Sequence, residues 1–205
     1  MAEGKLKLSH ILIGSAGLFL IGCASTKITK TIELPGVNIH TRAEWGSQTI
    51  ATGYKPHQVQ RITLHHGGVE FSGDKPTPQY LRELQAWSRL EKPWPDIPYH
   101  FIIDLQGEIW EGRPLQYAGD TNTNYDPSGH ALIVLLGNYE VQEVTPVQLT
   151  AIINLMTALT KAYHLNPDEI KSHKDYDPST LCPGKNLYRY LQDGTIVSKV
   201  KRRQQ

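Results

Sequence analysis

Apolar residues recur along this chain with two different spacings, and the change from one to the other marks its elements. Arg61-Ile62-Thr63-Leu64-His65-His66 alternates apolar and polar side chains and stops at Gly67-Gly68, the pattern of a β-strand. Tyr99 to Leu105 predicts a second strand, with Gln106-Gly107 as the turn into Glu108-Ile109-Trp110-Glu111. Ala131 to Leu136 is continuously apolar between Gly129 and Gly137, which predicts a central strand buried on both faces. Helical spacing appears twice. Thr77-Pro78 reads as an N-cap and N1 proline ahead of Tyr80, Leu84 and Trp87 on one face, and Pro93 closes that region. Thr145-Pro146-Val147-Gln148 carries a capping-box pattern, followed at helical intervals by Leu149, Ile152, Ile153, Met156, Leu159 and Tyr163. Strands interleaved with helices predict a single α/β domain, a central mixed β-sheet flanked by helices.

One apolar run belongs to neither pattern. Ile11 to Gly22 is too short to cross a bilayer as a helix, and Lys5 and Lys7 precede it, which suits the h-region of a signal peptide. Leu20-Ile21-Gly22-Cys23 resembles a bacterial lipobox, whose cysteine receives diacylglycerol and becomes the new N-terminus. That resemblance implies a lipoprotein signal peptide over residues 1–22, lipidation of Cys23, and a membrane-anchored protein of the cell envelope. Ala24, in place of an aspartate, resembles the outer-membrane class of Gram-negative lipoproteins, facing the periplasm. Residues 23–38 then read as a lipidated tether closed by Pro35-Gly36, and residues 39–192 as the folded domain. Residues 193–205, with Lys199-Val200-Lys201-Arg202-Arg203, read as a basic, solvated tail. A formal net charge of +1 gives no electrostatic basis for a nucleic-acid partner. The domain is expected to act as a monomer.

The chain has two cysteines, and lipidation of Cys23 leaves Cys182 with no disulfide partner. An unpaired thiol in an exported protein invites oxidation, so its place between Ser172-His173 and Pro183-Gly184 asks for a chemical reason, and metal ligation supplies one. His65 and His66 end a strand, and a folded site has to gather a histidine from that pair with His173 and Cys182. Two histidines and a cysteine leave the fourth tetrahedral position for water, the arrangement of a catalytic zinc. Zn2+ in such a site lowers the pKa of water to about 7 and polarises a carbonyl, so hydrolysis is the natural chemistry. Strand alternation sends His65 and His66 to opposite faces, and the local pattern does not choose between them.

At these residues the chain resembles the type-2 N-acetylmuramoyl-L-alanine amidases, in particular the peptidoglycan recognition proteins. Arg42-Ala43-Glu44-Trp45-Gly46, Ile62 to Gly67, Ile97-Pro98-Tyr99-His100-Phe101, Glu111-Gly112-Arg113, Leu136-Gly137-Asn138-Tyr139 and Ser172-His173 to Cys182-Pro183-Gly184 follow in that family's order. The resemblance implies that fold, zinc-dependent cleavage of the amide between N-acetylmuramic acid and L-alanine, and peptidoglycan or muropeptides as partners. It implies His65, His173 and Cys182 as the zinc ligands. Tyr99 matches a tyrosine that donates to the reacting oxygen, and Thr180 matches a catalytic position held by lysine or threonine in relatives. Cys182, with Val134 where another branch of the family carries a glutamate, places the chain with the Tyr/Cys branch. Pro114-Leu115 follows Glu-Gly-Arg where many recognition proteins have Gly-Trp, and Asp120 stands where relatives often carry a histidine. His66 is a candidate donor of the proton that the leaving amine needs.

Overall fold

The computed structural model describes residues 33–49 and 52–204; Cys23 and the signal-like segment lie outside the described residues. Five strands among them form one sheet: β1 (Arg61–His66), β2 (Phe101–Ile103), β3 (Ile109–Glu111), β4 (His130–Leu135) and β5 (Ile170–Ser172), in the order β3-β2-β4-β1-β5. The β1/β4, β1/β5 and β2/β4 pairs are parallel and only β2/β3 is antiparallel, so the sheet is mixed. The continuous apolar run becomes β4, central and buried along its whole length. The expected α/β architecture is therefore the observed one.

Side-chain alternation along β1 and β4 divides the interior in two. Ile62, Leu64, Ile133 and Leu135 face a core closed by α2 (Pro146–Ala162), whose Ile152, Met156 and Leu159 are fully buried. Val134 and Leu136 face the opposite core, with Ile97, Ile102, Trp45 and Leu81 of α1 (Thr77–Leu90). Helix α2 starts as its sequence predicts. The Thr145 side chain accepts from the Gln148 backbone N–H, and the Gln148 side chain accepts from the Thr145 N–H at 3.1 Å. Each bond satisfies a donor that the first helical turn leaves unpaired.

Helix α1 departs from its sequence reading. Its N-cap is Pro76, and the Thr77 hydroxyl turns inward to the Asp104 carboxylate at 3.0 Å. The buried face is Thr77, Leu81, Gln85 and Ser88, while Trp87 stays 41% exposed. Gln85 donates to Asp96 at 2.7 Å and Ser88 to the Leu84 carbonyl at 2.7 Å. Polar side chains can line a buried helix face when they are paired, and a hydrophobic pattern does not register them.

Three further helices close the domain: α3 (His173–Tyr176), α4 (Lys185–Gln192) and α5 (Thr195–Arg202). The last of these corrects the reading of a solvated tail. Ile196 and Val200, one turn apart on α5, are fully buried in the core against α2, and Lys201 pairs with Asp168 at 2.6 Å. No helix among the described residues is long and apolar enough to cross a membrane.

Candidate metal centre

Strand β1 ends at the site. His65 shares the parity of Thr63, in register with Val134 of β4, and therefore points to the α1 side of the sheet. His66 points the other way, where its Nδ1 accepts the Tyr139 backbone N–H at 3.1 Å. Of the two histidines, between which the local sequence pattern does not choose, His65 is the one that joins His173 and Cys182. Strand β5 runs parallel beside β1 and delivers His173 one residue past Ser172, which pairs with Leu64. The Ser172 backbone N–H and hydroxyl both donate to Asp175, at 2.7 and 2.8 Å, and set the turn that His173 opens.

Cys182 arrives on the loop between α3 and α4. Its carbonyl accepts from the Lys174 N–H at 3.0 Å, and its own N–H donates to Thr180 Oγ1 at 3.1 Å. Gly184 lets this loop lie against the next: with φ at +84°, a Cβ there would stand 2.3 Å from the Tyr139 carbonyl carbon. Only glycine combines that dihedral with that approach.

These elements bring the ligand atoms of His65, His173 and Cys182 within 4.8 Å of one another, all three residues being buried. His65 Nδ1 lies 3.5 Å from Cys182 Sγ. A tetrahedral zinc with bonds of about 2.1 Å to nitrogen and 2.3 Å to sulfur would set those two atoms about 3.6 Å apart. The donor set and its spacing fit zinc. Burial, and then repulsion from His173 were both rings to take up a proton, holds His65 well below the ordinary histidine range, and burial lowers His173 as well. Both imidazoles are thus neutral at pH 7 with a lone pair to offer. Burial pushes the Cys182 thiol up to about 12, partly opposed by the His66 N–H, so ligation has to displace its proton.

Around the cluster, the Tyr99 ring centroid lies 5.3 Å from that of His65. Burial chiefly, and the neighbouring Cys182, raise its phenol above the ordinary range. Thr180 reaches the site through the backbone of Cys182. Val134, in register with His65 and almost fully buried, puts an apolar side chain where a carboxylate would have stood. Asp120 pairs with the buried Arg113, whose other N–H groups donate to the Ile97, Ala118 and Asp96 carbonyls. His100 is structural: its Nδ1 accepts the Leu132 N–H at 2.9 Å and its Nε2 donates to the Tyr117 carbonyl at 2.8 Å.

Two contacts come from residues that sequence reasoning passes over. Thr123 Oγ1 lies 2.7 Å from His173 Nε2, and Tyr125 Oη lies 3.3 Å from His65 Nε2. Both belong to the segment Thr121-Asn122-Thr123-Asn124-Tyr125-Asp126-Pro127-Ser128, whose composition reads only as a loop.

Fold and site together define an α/β domain with a buried His-His-Cys cluster at the C-terminal end of a parallel strand. Residues 55–185 match the Amidase_2 family model, described as N-acetylmuramoyl-L-alanine amidase, and the chain belongs to that family. It is similar to peptidoglycan-recognition protein SC2 of Drosophila simulans, 29% identical over 77% of this chain and 86% of the relative. Peptidoglycan recognition protein 1 of Mus musculus is 28% identical over 74% and 84%. Among solved structures, Drosophila peptidoglycan recognition protein SD superposes with a TM-score of 0.67 at 26% identity, covering 76% of this chain and 94% of that one. The N-acetylmuramoyl-L-alanine amidase LysC from Clostridium intestinale gives a TM-score of 0.64 at 25% identity, covering 78% and 97%. These likenesses tie the chain to peptidoglycan chemistry.

Proposed function

We propose that this protein is a zinc-dependent peptidoglycan hydrolase that cleaves the amide between N-acetylmuramic acid and the L-alanine of the stem peptide. The observation that carries the reading is the cluster itself, His65 Nδ1 at 3.5 Å from Cys182 Sγ with His173 alongside, inside the segment matched by the family model. Zinc held by these three side chains would supply Lewis acidity, acidifying water and polarising the scissile carbonyl. Tyr99 keeps its proton at neutral pH because burial raises its phenol, so it acts as a hydrogen-bond donor to the oxygen that gains charge. Thr180 accepts from the Cys182 N–H and still has its own O–H to offer, which makes it a neutral second donor. Peptidoglycan or muropeptides are the partners, and the protein acts as a monomer.

The competing reading is a protein that binds peptidoglycan and does not cut it, favoured by relatives named for recognition. Zinc content and release of stem peptides from purified sacculi separate the two. The expected result is one zinc per chain and peptide release by the wild type, both abolished in His65→Ala and Cys182→Ala. A wild type that binds sacculi and zinc yet releases nothing would sink the hydrolase reading.

We further propose that residues 1–22 are a lipoprotein signal peptide and that Cys23 carries the lipid. This places the domain at the membrane of the cell envelope, in a Gram-negative host on the periplasmic side of the outer membrane. The support is the lipobox-like Leu20-Ile21-Gly22-Cys23. A Cys23→Ala protein should leave the membrane fraction; one that stays there would argue for an uncleaved anchor.

A further inference from the structure

The outer edges of both ligand histidines are occupied by hydroxyls from one loop. His173 Nε2 meets Thr123 Oγ1 at 2.7 Å, and His65 Nε2 meets Tyr125 Oη at 3.3 Å. Thr121 is placed to receive the hydroxyl proton of Thr123. Thr121 Oγ1 accepts the Thr123 backbone N–H at 3.1 Å and lies 3.0 Å from Thr123 Oγ1. If the Thr123 hydroxyl gives its single proton to Thr121, it must accept from the imidazole, so Nε2 carries the hydrogen and Nδ1 keeps the lone pair. The loop is itself tied to the ligand segment, since the Asn124 N–H donates to Asp177 Oδ2 at 3.3 Å and the Asp177 N–H to the His173 carbonyl at 3.0 Å. Tyr125 is also held from behind, stacked on Tyr176 with ring centroids 5.6 Å apart and tilted against His130 at 5.4 Å.

We propose that Thr123, backed by Thr121, and Tyr125 are the positioning residues of this metal centre, locking His173 and His65 in the tautomer that presents Nδ1 toward Cys182. The inference rests on the zinc reading above. In many zinc sites a carboxylate accepts the second imidazole N–H and raises the ligand's basicity. Here the acceptors are neutral hydroxyls. They fix ring orientation and tautomer without adding negative charge, so less electron density is pushed toward the metal and its Lewis acidity toward a carbonyl is better preserved.

The test is zinc affinity by chelator competition, together with the visible absorption of the cobalt-substituted protein, for wild type, Thr123→Val, Thr123→Ser and Tyr125→Phe. Thr123→Val keeps the shape and loses the acceptor, so zinc should bind roughly 10 to 100-fold more weakly with altered cobalt bands, and Thr123→Ser should restore both. Tyr125→Phe should weaken zinc by less, because its contact is longer. In the metal-free wild type, nitrogen-15 shifts should report His173 as the Nε2–H tautomer, and in Thr123→Val as a mixture. This second readout holds even where a variant loads metal poorly. Unchanged affinity and bands in Thr123→Val, or an Nδ1–H tautomer in the wild type, would overturn the proposal. Peptide release tests the other reading: a wild type that binds zinc with the expected Thr123 dependence but hydrolyses nothing leaves this inference standing and defeats the amidase.

Discussion

At the scale of single residues, the chemistry turns on how burial sets protonation. Tyr99 is the clearest case: removal from water raises its phenol and Cys182 raises it further, so the group stays O–H and, in the proposed reaction, would serve as a donor rather than a base. Tyr99→Phe should therefore lower kcat about 10² to 10³-fold, the usual loss for one oxyanion donor, while zinc stoichiometry stays at the wild-type value. Equal kcat in the variant would remove Tyr99 from the reaction. The members of the His-His-Cys cluster were legible in the sequence only as an ordered set of motifs, because His65 and Cys182 are separated by most of the domain. What could not be read was the support. Thr123 and Tyr125 acquire meaning only when the loop before β4 folds back over the ends of β1 and β5, a long-range event with no local periodicity.

At the scale of elements, legibility followed how much of each signal is local. Helix α2 announces itself through Thr145 and Gln148, three residues apart, and a long apolar face, and the structure returns both. Helix α5 offers only Ile196, Val197 and Val200 among Thr195, Ser198, Lys199, Lys201 and Arg202, too few apolar positions to outweigh the cations around them. Its stability is tertiary, coming from burial of Ile196 and Val200 in the core against α2, with Val197 packed at its margin. Val200→Asp should then cost more than about 3 kcal/mol, since it buries an unpaired carboxylate, and urea unfolding would show it as a lower midpoint. A loss under about 0.5 kcal/mol, the range of a surface substitution, would mean that the tail frays in solution after all.

At the scale of the whole molecule, the sheet order explains why the His-His-Cys cluster forms where it does, and the burial around it explains why acid should destabilise the fold. Parallel β1 and β5 lie side by side, so their C-terminal ends bring His65 and His173 to one edge, and β4 seals that edge with Val134. The same burial leaves three further histidines neutral inside the fold. Burial lowers His100 to about 3 and His66 and His130 to about 4, and the rings of His100 and His66 accept backbone N–H groups on a nitrogen that must stay unprotonated. In the unfolded chain these rings titrate near 6.5. Below that pH the unfolded state binds protons that the folded state refuses, so stability falls as pH falls, from about 6.5 down to the folded values. Each histidine contributes a slope of at most about 1.4 kcal/mol per pH unit in that window, so roughly 4 kcal/mol per unit is the ceiling for the three, lowered by the partial solvent screening of His66 and His130. Urea melts in the presence of a chelator, which removes metal loss from the comparison, should show a midpoint that is flat from pH 8 to 7 and drops steeply between 6 and 5. A midpoint unchanged at pH 5 would mean that these rings accept protons in the folded state, and that the hydrogen bonds to the Leu132 and Tyr139 N–H groups are not those that hold the molecule together.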